Sequence, residues 1–87
     1  MSNYWIQLRE KRIIVKEINF LLLKFVGRKS APIDKLFYDM RKIVLKYFKN
    51  NLDKLKYFAP KNQSFDYDFI VHEQGGHITE INFKVKS

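Results

Sequence analysis

The run Phe65-Asp66-Tyr67-Asp68-Phe69-Ile70-Val71, followed after Gly75-Gly76 by Ile81-Asn82-Phe83-Lys84-Val85, decides the fold class of this chain. Phe65, Tyr67, Phe69 and Val71 alternate with Asp66, Asp68 and Ile70, and Ile81, Phe83 and Val85 alternate with Asn82, Lys84 and Lys86. A period of two belongs to a strand with one buried face, and paired glycines between two such runs mark a hairpin turn. A two-residue loop sets odd positions against even ones and places Val71 opposite Glu80. A three-residue loop, Gln74-Gly75-Gly76, pairs Glu73 with His77, Phe69 with Ile81 and Tyr67 with Phe83. The latter register gathers the apolar residues on one face and is the one expected.

Upstream of the hairpin the period changes to that of a helix. Ile14, Ile18, Leu21, Leu22 and Phe25 predict a helix over residues 11–26, with Gly27 at a left-handed C-cap and Lys24, Arg28 and Lys29 at the negative end of the dipole. Residues 4–9 read equally well two ways. Tyr4 and Leu8 extend the helical rhythm back toward Ser2, while Tyr4, Ile6 and Leu8 alternate as a short edge strand would. A second helix begins after Ser30 or Ala31 as cap, with Pro32 in its first turn and Asp34 at its positive end. Its buried face is Ile33, Leu36, Phe37, Met40, Ile43, Val44 and Tyr47, and it ends near Asn50-Asn51 or continues through Leu55 to Phe58. The breaks fall at Gly27 to Pro32 and at Pro60 to Ser64. The expectation is an α+β fold in which two N-terminal helices pack on a C-terminal antiparallel hairpin, as one domain over residues 1–87.

A chain of 87 residues buries about 60–65% of its unfolded surface, so it relies on dense packing. At 46% apolar and 16% aromatic, the composition supplies it. The absence of cysteine excludes disulfides and thiolate metal sites and fits a reducing compartment. The N-terminus lacks a basic start followed by an apolar run, and Lys16, Glu17, Asn19 and Lys24 interrupt the most apolar stretch, so a cytoplasmic protein is expected.

Charge is unevenly spread. Fifteen of the seventeen Lys and Arg residues fall in residues 1–61, where five carboxylates answer them, giving +10 there and −2 over residues 62–87. A cationic helical body with a near-neutral hairpin points to a polyanionic partner. Lys35, Lys42, Lys46 and Lys49 fall on the side of the second helix opposite its apolar face, and Arg28 and Lys29 precede it. These six are the candidate phosphate contacts. The competing reading is an ordinary solvated helix face, with Asp39 diluting the stripe. Thirteen of the seventeen cations are Lys, which favours backbone contacts over base reading.

Tyr38, Leu45 and Leu52 form an i, i+7, i+14 line beside the core face of the second helix. With Phe48 and Leu55 they make its apolar arc wider than one packing neighbour needs. The line reads as a partner or homodimer surface, or as a helix packed on both sides. His72-Glu73-Gln74-Gly75-Gly76-His77 does not meet the zincin pattern, because its histidines are five apart and glycines break any helix; a cross-strand Glu73–His77 pair is expected. Asp66 and Asp68 read as the solvated strand face. No catalytic signature, metal site or cofactor-binding loop is readable.

Helices followed by a closing hairpin is the layout of a winged-helix domain. Within it, Phe65-Asp66-Tyr67-Asp68-Phe69 through Gly75-Gly76-His77 to Val85 resembles the hairpin of winged-helix domains in plasmid replication initiator proteins, and Asp39-Met40-Arg41-Lys42 is loosely similar to a basic helix upstream of it. The resemblance covers about a third of the chain and implies nucleic-acid binding. The departures are an acidic and neutral turn where that family's is usually basic, a single domain where the initiators have two, and no visible break dividing the second helix.

The leading functional expectation is a small DNA- or RNA-binding module of regulatory or accessory role from a phage, plasmid or low-GC bacterium. Beside it stand a protein-interaction module, either a homodimer or an inhibitor of an acidic partner, and a small basic ribonuclease toxin. Membrane binding is not expected, since the basic helix needs its apolar face for the core.

Overall fold

The computed structural model describes residues 3–59 and 65–86. Helix α1 spans Asn3–Leu22 and tightens into a 3-10 turn at Leu23–Phe25. Helix α2 spans Ile33–Asn50, a single turn α3 spans Leu52–Leu55, and strands β1 (Tyr67–Gln74) and β2 (His77–Val85) pair antiparallel. The fold is α+β, helices first and hairpin last. Residues 4–9 are helical and not a strand. A start near Ser2 and the break at Pro60 to Ser64 lie outside the described residues.

The α-helical hydrogen-bonding of α1 stops at Leu22 rather than at Val26. Val26 is extended, its N–H bonding Leu23 O at 3.0 Å, and Gly27 takes the positive φ of +90° expected of it. Its N–H does not close the helix, however. It donates to Ile78 O at 2.7 Å, so the chain leaving α1 joins the hairpin at once. Ile78 N donates to Arg28 O at 2.8 Å and Ser30 N to Gly76 O at 2.9 Å, with a bridge between Lys29 and His77. Residues 27–30 thus act as a short extra strand on the free edge of β2.

Ser30 does not cap α2. The N-cap is Pro32, without a side-chain cap bond. The Ser30 hydroxyl is buried and donates to the Glu73 carboxylate instead, with Gly76 O 3.3 Å away.

The hairpin register differs from expectation, by one residue at the turn and by two beyond it. Gly75 and Gly76, with φ of +62° and +80°, form a two-residue turn that pairs Gln74 with His77 and Glu73 with Ile78. The register then shifts, and His72 pairs with Glu80, Phe69 with Phe83 and Tyr67 with Val85. Thr79 is the extra residue of a β-bulge, and its hydroxyl bonds His72 O at 3.2 Å. The bulge restores odd-with-odd pairing, so the apolar residues still share one face. It also turns Ile78 inward beside Ile81. The expected Glu73–His77 pair is absent: Glu73 serves Ser30, and His77 Nδ1 lies 3.1 Å from Gly75 O.

The core lies between the helices and the hairpin's inner face. Ile14, Ile18, Leu22 and Phe25 meet Leu36, Met40, Val44 and Tyr47, and Phe69, Ile78, Ile81 and Phe83 close the layer. Of the face expected on α2, Phe37 and Ile43 are half-buried and Ile33 is exposed, because a first helical residue directs its side chain back past the end of the helix. Phe48 is buried and edge-on to Tyr47, Phe58 and Phe65, at centroid distances of 5.2, 5.7 and 5.5 Å. Asn19 ties α1 to the sheet, its Oδ1 accepting from Phe83 N at 2.7 Å.

Candidate nucleic-acid interface

The basic surface is built where α1 ends and α2 begins. The buried Phe25 ring is the floor. The Lys24 ammonium and the Arg28 guanidinium each lie 5.6 Å from its centroid. Cations over an aromatic face are attracted by its quadrupole, so the ring favours both side chains staying beside it. From this floor two shallow clefts open. Arg28, Lys29, Pro32 and Lys35 border one, of about 180 Å³; Lys24, Arg28 and Lys42 border the other, of about 250 Å³. Phe25, Arg28 and Asp39 border both, so the clefts are adjacent. Each is smaller than a drug-sized pocket and suits a phosphate group better than an enclosed ligand.

The structure brings together four of the six candidate cations, Arg28, Lys29, Lys35 and Lys42. Lys46 and Lys49 are exposed further along α2 and border neither cleft. Lys24 was missed, because its position near the end of α1 accounted for it as a dipole partner. Arg28 four residues on was the available signal. The loop is held by the three backbone bonds to the hairpin and by Ser30, so Arg28 and Lys29 sit on a fixed strand.

Ion pairing leaves this surface uncompensated. Among the described residues the ion pairs are Lys54–Glu17 at 3.3 Å and Lys86–Asp68 at 3.9 Å, and neither uses a cleft cation or Asp39. Among the described residues Asp39 is the one carboxylate that borders the clefts.

The apolar arc of α2 divides. Phe48 is buried and Leu55 half-buried against the core, as a helix packed on both sides requires. Tyr38, Leu45 and Leu52 stay 55%, 65% and 69% exposed, as a partner surface requires. Tyr38 belongs as much to the basic surface, since Lys42 Nζ lies 5.3 Å from its ring centroid.

On the other side of the α1–α2 contact, the Tyr47 hydroxyl donates to the Glu17 carboxylate, and Lys54 Nζ reaches the same Oε2 at 3.3 Å. The Tyr47 bond, and then Lys54, hold the Glu17 carboxyl below its ordinary value. Burial, reinforced by Glu17, pushes Tyr47 up. The bond to Glu17 raises Lys54. The three form a structural clasp between α1, α2 and α3.

No helix among the described residues is long and apolar enough to cross a membrane. No family model, curated protein or solved structure matches this chain.

Proposed function

We propose that this chain is a small nucleic-acid-binding module of regulatory or accessory role that grips the phosphate backbone with the clefts at the start of α2. The observation that carries the reading is the grouping of Lys24, Arg28, Lys29, Lys35 and Lys42 around two adjacent clefts, without an ion-pair partner among the described residues. Phosphates bound there release condensed counterions, which is where such modules obtain most of their affinity. Base reading contributes little in this proposal, since Arg28 is the single guanidinium among the five and lysine binds as a point charge. The α+β order and the loop strand on the hairpin support a winged-helix-like reading, in which α2 and its loop face the nucleic acid. Glu73 beside the Gly75-Gly76 turn opposes a role for the hairpin tip.

The test is fluorescence anisotropy with labelled duplex and single-stranded oligonucleotides at about 50 mM salt, where phosphate contacts are strong. Saturable binding weakened by Arg28→Glu or Lys42→Glu supports the proposal, and no binding to either probe defeats it. A second reading, a module that docks on an acidic protein, rests on the exposure of Leu45 and Leu52. It predicts that Leu45→Asp abolishes partner capture while leaving the thermal midpoint unchanged.

A further inference from the structure

Helix α1 carries apolar residues outside its core face as well as on it, and one such stripe is left exposed among the described residues. Ile6, Ile13 and Phe20 repeat at seven-residue spacing and are 53%, 41% and 73% exposed. At about 100° per residue they fall within roughly 40° of one another, nearly opposite the buried Ile14, Ile18 and Leu22. Around Ile13 and Phe20, with Leu21 beside them and Lys16 and Glu17 at its sides, lies a hollow of about 460 Å³ that reaches Tyr47. In the first turn Tyr4, Trp5, Ile6 and Gln7 are all exposed, so nothing among the described residues covers the helix there.

The charges beside this stripe are segregated. Arg9 and Lys16 follow Ile6 and Ile13 by three residues and lie about 50° to one side; Glu10 and Glu17 follow them by four and lie about 50° to the other. This pattern selects its own partner. When two copies of a helix lie side by side in parallel about a two-fold axis, the left flank of one meets the right flank of the other. Arg9 then stands beside the second copy's Glu10, and Lys16 beside its Glu17, with an axial offset of about 1.5 Å. In the antiparallel arrangement each flank meets itself, Glu10 facing glutamate and Arg9 facing arginine. Glu17 keeps an acceptor for this contact, since Tyr47 and Lys54 both bond its Oε2 and Oε1 has no bond among the described residues. The pattern stops at Lys24, which belongs to the basic clefts.

We infer that the chain forms a parallel homodimer through α1, with Ile6, Ile13 and Phe20 of one copy against the same residues of the other. This interface is distinct from the exposed Tyr38 and Leu45 of α2 and Leu52 of α3. It does not depend on nucleic-acid binding. It places both copies' basic clefts at the same end of the paired helices, since Phe25 and Arg28 follow the C-terminus of α1. The contact from Ile6 to Phe20 runs along about 21 Å of helix, which suits a reversible dimer better than an obligate one.

Sedimentation equilibrium of the full chain across micromolar to millimolar concentrations tests it. The expected result is a monomer–dimer equilibrium lost in Phe20→Asp, with an unchanged thermal midpoint because Phe20 is exposed. Glu10→Arg is expected to raise the dimer dissociation constant about two- to tenfold by setting like charges side by side, and Arg9→Glu/Glu10→Arg to restore it. Because the chain lacks cysteine, Ile6→Cys reports orientation: the parallel arrangement cross-links Ile6→Cys chains to each other under mild oxidant. A monomer throughout the range, a dimer broken by Leu45→Asp and indifferent to Phe20→Asp, or no cross-linking at position 6 in a dimer would each overturn the inference.

Discussion

Removing the Ser30 hydroxyl probes the joint on which the basic loop is mounted. Ser30 is buried, donates to the Glu73 carboxylate and approaches Gly76 O, while its own N–H also bonds Gly76 O at 2.9 Å. A hydrogen bond to a charged group contributes about 1.5–3 kcal/mol. Glu73 is on the exposed side of the turn, so water solvates its carboxylate once the hydroxyl is gone, and the lower part of that range applies. Ser30→Ala is therefore expected to cost about 1.5 kcal/mol, equivalent to roughly 6–12 °C in the midpoint of a domain this size. Three backbone bonds between residues 27–30 and 76–78 remain, so the variant folds. The assay is urea unfolding of wild type, Ser30→Ala, Glu73→Ala and the double variant. A coupling energy of about 1 kcal/mol is expected from the cycle. Coupling indistinguishable from zero refutes the reasoning, for then the two side chains do not hold each other and the loop rests on its backbone alone.

Other perturbations have equally definite outcomes. Glu17→Gln should lower the thermal midpoint at neutral pH by a difference that closes in acid. Its carboxyl titrates below the ordinary 4.5 in the folded chain, so the stabilisation is present above 4.5 and lost as pH falls through the lowered value. Melting curves of both proteins across that range check it. Asp39→Asn should tighten oligonucleotide binding several-fold at low salt without altering stability, because Asp39 is the carboxylate beside the clefts and has no cation partner within 4.0 Å among the described residues. Anisotropy titration reads the first effect and urea unfolding the second. Asn19→Ala should cost about 1–3 kcal/mol in urea unfolding, since it leaves Phe83 N without its acceptor at the α1–β2 contact.

How much of this was legible in advance differs from element to element. The second helix and the hairpin announce themselves, because Leu36, Met40 and Val44 keep a helical spacing and Phe65 to Val71 a spacing of two. The register was missed because two requirements seemed to conflict: a two-residue glycine turn and apolar residues on one face. A bulge at Thr79 satisfies both, but no residue type marks the extra residue of a bulge, so the sequence carries no sign of it. Ser30 was misplaced for a related reason. A serine before a proline-led helix is an ordinary cap, and only tertiary structure brings Glu73 to it. The ambiguity at residues 4–9 reflects a real property of α1, whose first turn has no neighbour among the described residues to impose one apolar face. Of the candidate site, loop and helix cations could be named from position, but their convergence depends on how α1 delivers Phe25 to the start of α2. For that reason Lys24 joins the clefts while Lys46 and Lys49 do not.

The most direct test of the account is the salt dependence of oligonucleotide affinity in the wild type and in variants of single cleft cations. Five phosphate contacts predict a slope of log K against log salt of about −4.5 on duplex DNA and about −3.5 on a single strand. Lys35→Ala and Lys42→Ala should each flatten the duplex slope by about 0.9, while Lys49→Ala should leave it nearly unchanged. A slope near zero, or equal flattening by every surface lysine wherever it lies, would contradict the claim that the clefts at the start of α2 are the binding site.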